Sequence, residues 1–80
     1  MIASEQIRAA RALLRLSVVD LSLRSGVGVA TIKRLEAVDG LPSANVRTVD
    51  ALVKALESLG IDFIGSPEDG PGVRLLKVGR

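Results

Sequence analysis

The sequence predicts a mainly α-helical domain, with four packed helices followed by a C-terminal β-hairpin or strand extension. Three features point there. Apolar residues recur at three- and four-residue spacing as far as Gly60. The chain is 48% hydrophobic yet holds one phenylalanine and neither tryptophan nor tyrosine, so its core is built from Leu, Val, Ile and Ala, as in packed helices. Beyond Gly60 the pattern changes to β-formers on either side of a Pro/Gly cluster. A chain of 80 residues makes one small domain, able to bury about 60% of its unfolded surface, so the core must be economical.

The first helix is expected from Ser4, a plausible N-cap, to Leu16, with Ile7, Ala10, Leu13 and Leu14 on its apolar side and Arg8, Arg11 and Arg15 between them. Ser17 caps a second, short helix through Val18, Asp20, Leu21 and Leu23 to Ser25, which Gly26 ends in the left-handed conformation. A third follows from about Val29 to Ala37, with Ile32 and Leu35 facing inward and Thr31, Lys33 and Arg34 outward. The segment VDGLPS reads as a loop, after which Ser43 or Asn45 caps a fourth helix. Its stripe of Val46, Val49, Leu52, Val53, Leu56 and Leu59 makes it the clearest helix of the chain. IDFI and VRLLKV then read as strands separated by GSPEDGPG, paired as a hairpin or with other strands. Residues 1–60 form the helical unit and 61–80 the β extension.

Composition narrows the function. Without cysteine there is no disulfide framework or thiolate metal site, and without histidine or clustered acidic residues no metal or cofactor is expected. The serines lack a base, so the chain is not expected to be an enzyme. No apolar run approaches the roughly 20 residues needed to span a bilayer, which leaves a cytoplasmic protein as the expectation. Eleven basic against nine acidic residues give net +2 and a pI near 9.7, in the range of nucleic-acid-binding domains.

The stretch GVGVATIKRLE decides between two chemistries. A phosphate-cradling loop needs Gly-Lys-Ser/Thr, or three glycines after a strand. Here Gly26 and Gly28 follow a helix, no third glycine stands at the needed spacing, and Lys33 lies in mid-helix. Two helices crossing steeply need instead a small residue where they approach, a turn residue free to take positive φ, and apolar anchors beyond it. Ser22, Gly26, and Val27 with Ile32 and Leu35 fill those places, Leu21 facing the anchors. This is a helix-turn-helix.

Residues 5 to about 59, and LSLRSGVGVATIKRLE above all, resemble the Xre/Cro-like helix-turn-helix regulators, which carry the lambda-repressor-like DNA-binding domain. The resemblance implies that Val29, Ala30, Thr31, Lys33 and Arg34 enter the major groove of double-stranded DNA, and that Arg11 pairs with Glu36 as architecture. Two departures stand out. Val18 occupies the place where the family usually carries a glutamine that touches a phosphate, and Gly28 stands where a Ser or Thr cap is usual. Glycine caps at a cost of a few tenths of a kcal/mol and lets a phosphate come close to the backbone.

Among the groove residues Arg34 is the first choice for base readout, since an arginine can bond guanine O6 and N7 together. Lys33 and Thr31 suit phosphate or mixed contacts, and Val29 and Ala30 a thymine methyl. Ser43, Asn45 and Arg47, at the positive end of the fourth helix, suit a flanking phosphate. Arg8, Arg15 and Arg24 read as solvated faces. In the strands Ile61, Phe63, Ile64, Val73, Leu75, Leu76 and Val78 stand at positions of either parity, which predicts cover on both faces and so a homodimer built on residues 61 to 78. A dimer of this kind reads a palindrome with recognition helices about 34 Å apart. The expected function is a sequence-specific transcriptional regulator, by default a repressor. Its alternatives are an antitoxin-type autorepressor gripping a toxin, and an interaction module whose strands bind a second protein.

Overall fold

The computed structural model describes residues 1–76 and contains four helices followed by one antiparallel hairpin: α1 (Ser4–Leu14), α2 (Val18–Ser25), α3 (Val29–Glu36), α4 (Val46–Ser58), β1 (Ile61–Ser66) and β2 (Asp69–Leu75). None of these helices is long and apolar enough to cross a membrane. The core is a contiguous aliphatic cluster of Ile7, Ala10, Leu21, Ile32, Leu35, Leu52, Leu56 and Ile61, to which every helix and the first strand contribute. All four helices therefore bury one side against the others, the arrangement an amphipathic stripe requires.

Helix α1 is capped one residue earlier than expected. Ala3 holds the N-cap position, and the Gln6 side chain accepts its N–H at 2.8 Å, as the third residue of a capping box does. Ser4 is instead the first helical residue, fully buried, with its N–H donated to the Gly40 carbonyl at 2.7 Å. The helix closes at Leu14 in a Schellman arrangement, Arg15 N–H donating to Ala12 and Leu16 N–H to Arg11. Arg15 occupies the left-handed position (φ 53°, ψ 39°) that usually falls to glycine. Leu13, expected inside, is exposed, because α1 buries Ile7 and Ala10 and turns Leu13 away from them.

In α4 Asn45, not Ser43, supplies the cap, its Oδ1 accepting the Thr48 N–H at 2.8 Å. The stripe is buried at Leu52 and Leu56 and partly at Val49, whereas Val46 is 84% exposed. Position 46 lies at the open end of the helix, beside a groove of about 280 Å³ lined by Met1, Ile2, Pro42, Ala44, Val49 and Val53.

The strands pair with each other within the chain, Ile61 opposite Leu75 and Phe63 opposite Val73. Those four side chains share one face and pack on the core, Ile61 being only 3% exposed. Ile61, Phe63, Val73 and Leu75 therefore pack against their own domain, as one covered face of the strands requires. The opposite face carries Ile64, Gly72 and the Asp62–Arg74 ion pair, so among the described residues Ile64 and, just beyond the strand, Leu76 are the large apolar residues exposed there. Val78 lies outside the described residues. A bulge between Ile64 and Ser66 bends β1 at Gly65 (φ 74°), where a Cβ would fall 2.1 Å from the Gly70 carbonyl oxygen. Only glycine fits there. The hairpin is fastened to α1 by Gln6, whose Nε2 donates to the carbonyls of Ile64 (3.0 Å) and Gly72 (2.9 Å).

Candidate nucleic-acid interface

The α2–α3 unit follows from local chemistry. Ser17 Oγ accepts the Asp20 N–H at 3.0 Å and Asp20 returns the contact to the Ser17 N–H at 3.3 Å, a reciprocal cap that starts α2. Gly26 (φ 78°) ends it by donating its N–H to Ser22, and Ser25 Oγ then accepts the Val27 N–H at 3.1 Å, holding the turn. Leu21, Ile32 and Leu35 are buried together and Val27 is half-buried against them, so the anchors assigned to the corner join one core cluster. Gly28 caps α3 with ordinary extended geometry (φ −64°) and open space around its α-carbon, so the first-turn amides of α3 have no side-chain acceptor.

The short helix α3 then sorts its residues by side. At 100° per residue, Ala30, Lys33, Arg34 and Ala37 fall within an arc of about 100°, opposite Ile32, Leu35 and Glu36. The first four are exposed and the last three buried; Val29 and Thr31 lie half-buried on the flanks. The structure thus presents Ala30, Lys33 and Arg34 together, with Thr31 and Val29 at the edges of the same ridge. Ser43, Asn45 and Arg47 are exposed at the start of α4, which packs on α2. Among the described residues no hydrogen bond or ion pair ties them to α3, and the Asn45 side-chain Oδ1 is already engaged by the cap.

Behind this ridge Arg11 and Glu36 form a two-pronged pair, Nε to Oε2 at 2.9 Å and Nη2 to Oε1 at 2.8 Å, while Arg11 Nη1 donates to the Leu16 carbonyl at 3.0 Å. Glu36 is 8% exposed. Its hydrogen bond, opposed by partial burial and aided by its charge, holds the Arg11 guanidinium above its ordinary range. Arg8, which reads in the sequence as a solvated residue, is engaged as well: Nη1 donates to the carbonyls of Glu36 and Val38, and Nη2 to Asp39 at 3.2 Å. The available signal was its position three residues before Arg11 on α1, which brings both guanidinium groups to the end of α3.

Pairing sorts the charges by location. Arg8, Arg11, Lys54 and Arg74 each meet a carboxylate. Among the described residues Arg15, Arg24, Lys33, Arg34 and Arg47 meet none, and all lie from the end of α1 to the first turn of α4. The carboxylates of that same stretch, Asp20, Glu36 and Asp39, are committed to a cap or an arginine. Uncommitted positive charge therefore collects on the helix-turn-helix and the edge of α4 beside it, although the net charge of the chain is only +2. Comparison with protein-family models and with curated protein sequences gives no match to this chain.

Proposed function

We propose that this protein is a sequence-specific regulator that binds double-stranded DNA through α3 and represses by occupying its operator, in the manner of the Xre/Cro-like proteins it resembles. The observation that carries the reading is the outer ridge of α3: Lys33 and Arg34 are exposed and, among the described residues, meet no acidic partner, on a helix whose other side is locked into the core. Arg34 reads a base edge, Lys33 and Thr31 bind phosphate, and Ala30 and Val29 let the helix enter the groove. Gly28, Ser43, Asn45 and Arg47 flank it as backbone contacts, Asn45 through the part of its amide that the cap leaves free. Two copies reading a palindrome complete the proposal. The surface for pairing is the outer side and edges of the hairpin with Ile64 and Leu76, since Ile61 is spent on the core.

Binding sites selected from a random duplex pool test this. Affinity for the selected site should fall steeply with added salt. Arg34→Ala should remove about 1–3 kcal/mol of base discrimination, whereas Lys33→Ala should weaken all duplexes evenly and lower the salt slope by about one. Equal loss of preference in both variants overturns the assignment of roles, and no binding at low salt overturns the DNA reading. A second reading, a protein-interaction module or a toxin-binding autorepressor, is favoured by the exposed Leu23 and by Val46 beside its apolar groove. Absence of DNA binding at low salt would select the interaction module, and a small protein copurifying with a DNA-binding chain would select the autorepressor.

A further inference from the structure

We infer that Arg8 is a positioning residue for base readout: from α1, it caps the C-terminus of the reading helix and so fixes where Arg34 points. The inference rests on the DNA-binding reading of α3 and deepens it. Helix α3 has eight residues, and its own cap residues Gly28 and Ala37 offer no side-chain hydrogen bond to either end. Gly28 has no side chain to accept the first amides, and at the far end Ala37 stays right-handed, its N–H reaching the Arg34 carbonyl only at 3.4 Å. An isolated helix this short does not hold together in water, and its last carbonyls need donors from elsewhere. Arg8 supplies them. One guanidinium nitrogen serves the carbonyls of Glu36 and Val38, while the other is held by Asp39, which keeps the planar group in place. Lys33 and Arg34 stand in the last turn of α3, the turn this contact closes. Without it that turn frays, and a side chain that must meet a base edge within about half an ångström loses its bearing. Arg8 itself need not touch DNA.

Arg8→Lys tests this, because it keeps the charge and loses the fork; Arg8→Ala is the second variant. Each is measured against the duplex that the wild-type protein selects from a random pool and against a scrambled duplex of equal length. Arg8→Lys should lower the ratio of the two affinities about tenfold, within the range a single two-pronged base contact supplies, and leave affinity for the scrambled duplex within about twofold, since phosphate contacts set it. Amide exchange in the free protein should quicken at residues 33–38 in both variants. An unchanged affinity ratio in a variant that has only lost thermal stability overturns the inference, as does unchanged exchange at 33–38. If the wild-type protein selects no sequence, the DNA reading fails with it, and the exchange result shows separately whether Arg8 holds the helix end.

Discussion

Replacing Arg11 by methionine keeps most of its length and removes its charge, and the structure sets what this should cost. Glu36 is 8% exposed and the Arg11 side chain 26%. The variant leaves a nearly buried carboxylate without the two nitrogens that now hold it at 2.8 and 2.9 Å. Breaking a fully buried pair costs about 3–5 kcal/mol. The opening at Arg11 admits water to the stranded carboxylate and brings the figure to about 2–3 kcal/mol. For a domain this small, whose total stability is about 4–12 kcal/mol, that is a large share. It corresponds to a fall in melting temperature of about 10–20 °C. Urea unfolding followed by far-ultraviolet circular dichroism measures it. Glu36→Gln should cost less, because the charge it strands is the more exposed of the two, and the double variant should recover at least about 1 kcal/mol relative to the sum of the singles. The pair raises the Arg11 value in the folded state, so its contribution is complete below the ordinary arginine range and is lost only as pH rises through the raised value. The loss in Arg11→Met should thus be the same at about pH 6 and about pH 9. A loss below about 0.5 kcal/mol, or strictly additive singles, would refute a structural role for the pair.

Three further outcomes follow from backbone geometry. Arg15→Gly should stabilise the domain by about 0.5–1 kcal/mol, since a left-handed residue that is not glycine carries strain which the added freedom of the unfolded chain only partly offsets; a lower melting temperature would count against it. Gly65→Ala should cost about 2–4 kcal/mol, because the new methyl meets the Gly70 carbonyl and the backbone is left-handed there. Gly70→Ala, with φ 62° but open space around it, should cost only about 1 kcal/mol, and equal losses at the two positions would show that the bulge relaxes.

The corner at residues 17–36 was the most legible part of the chain, because its determinants are local. A serine and an aspartate three apart cap each other, a glycine takes positive φ, and residues 32 and 35 share a side of whatever helix contains them. The outer ridge of α3 was legible for the same reason. The polar contacts that orient that ridge were not. Arg8 and Arg24 have the same chemistry and both read as solvated; only the approach of α1 to the end of α3 gives Arg8 three acceptors, whereas Arg24 meets none among the described residues. With Ser4 read as the cap, Gln6 carried no signal of its role, and its hold on the hairpin joins positions 58 and 66 residues apart.

What the sequence determined by itself is the order and kind of the elements, together with the side of each helix that must be covered, since caps, turns and periodicity act over a few residues. Tertiary structure decided which neighbour does the covering. It turned Leu13, Leu23 and Val46 outward although each belongs to an apolar pattern, and it folded the strands against their own helices, filling one face with Ile61, Phe63, Val73 and Leu75. Periodicity states that a side chain has a preferred side. Whether anything lies on that side depends on contacts between segments far apart in the chain, and these exist only once the whole core has closed.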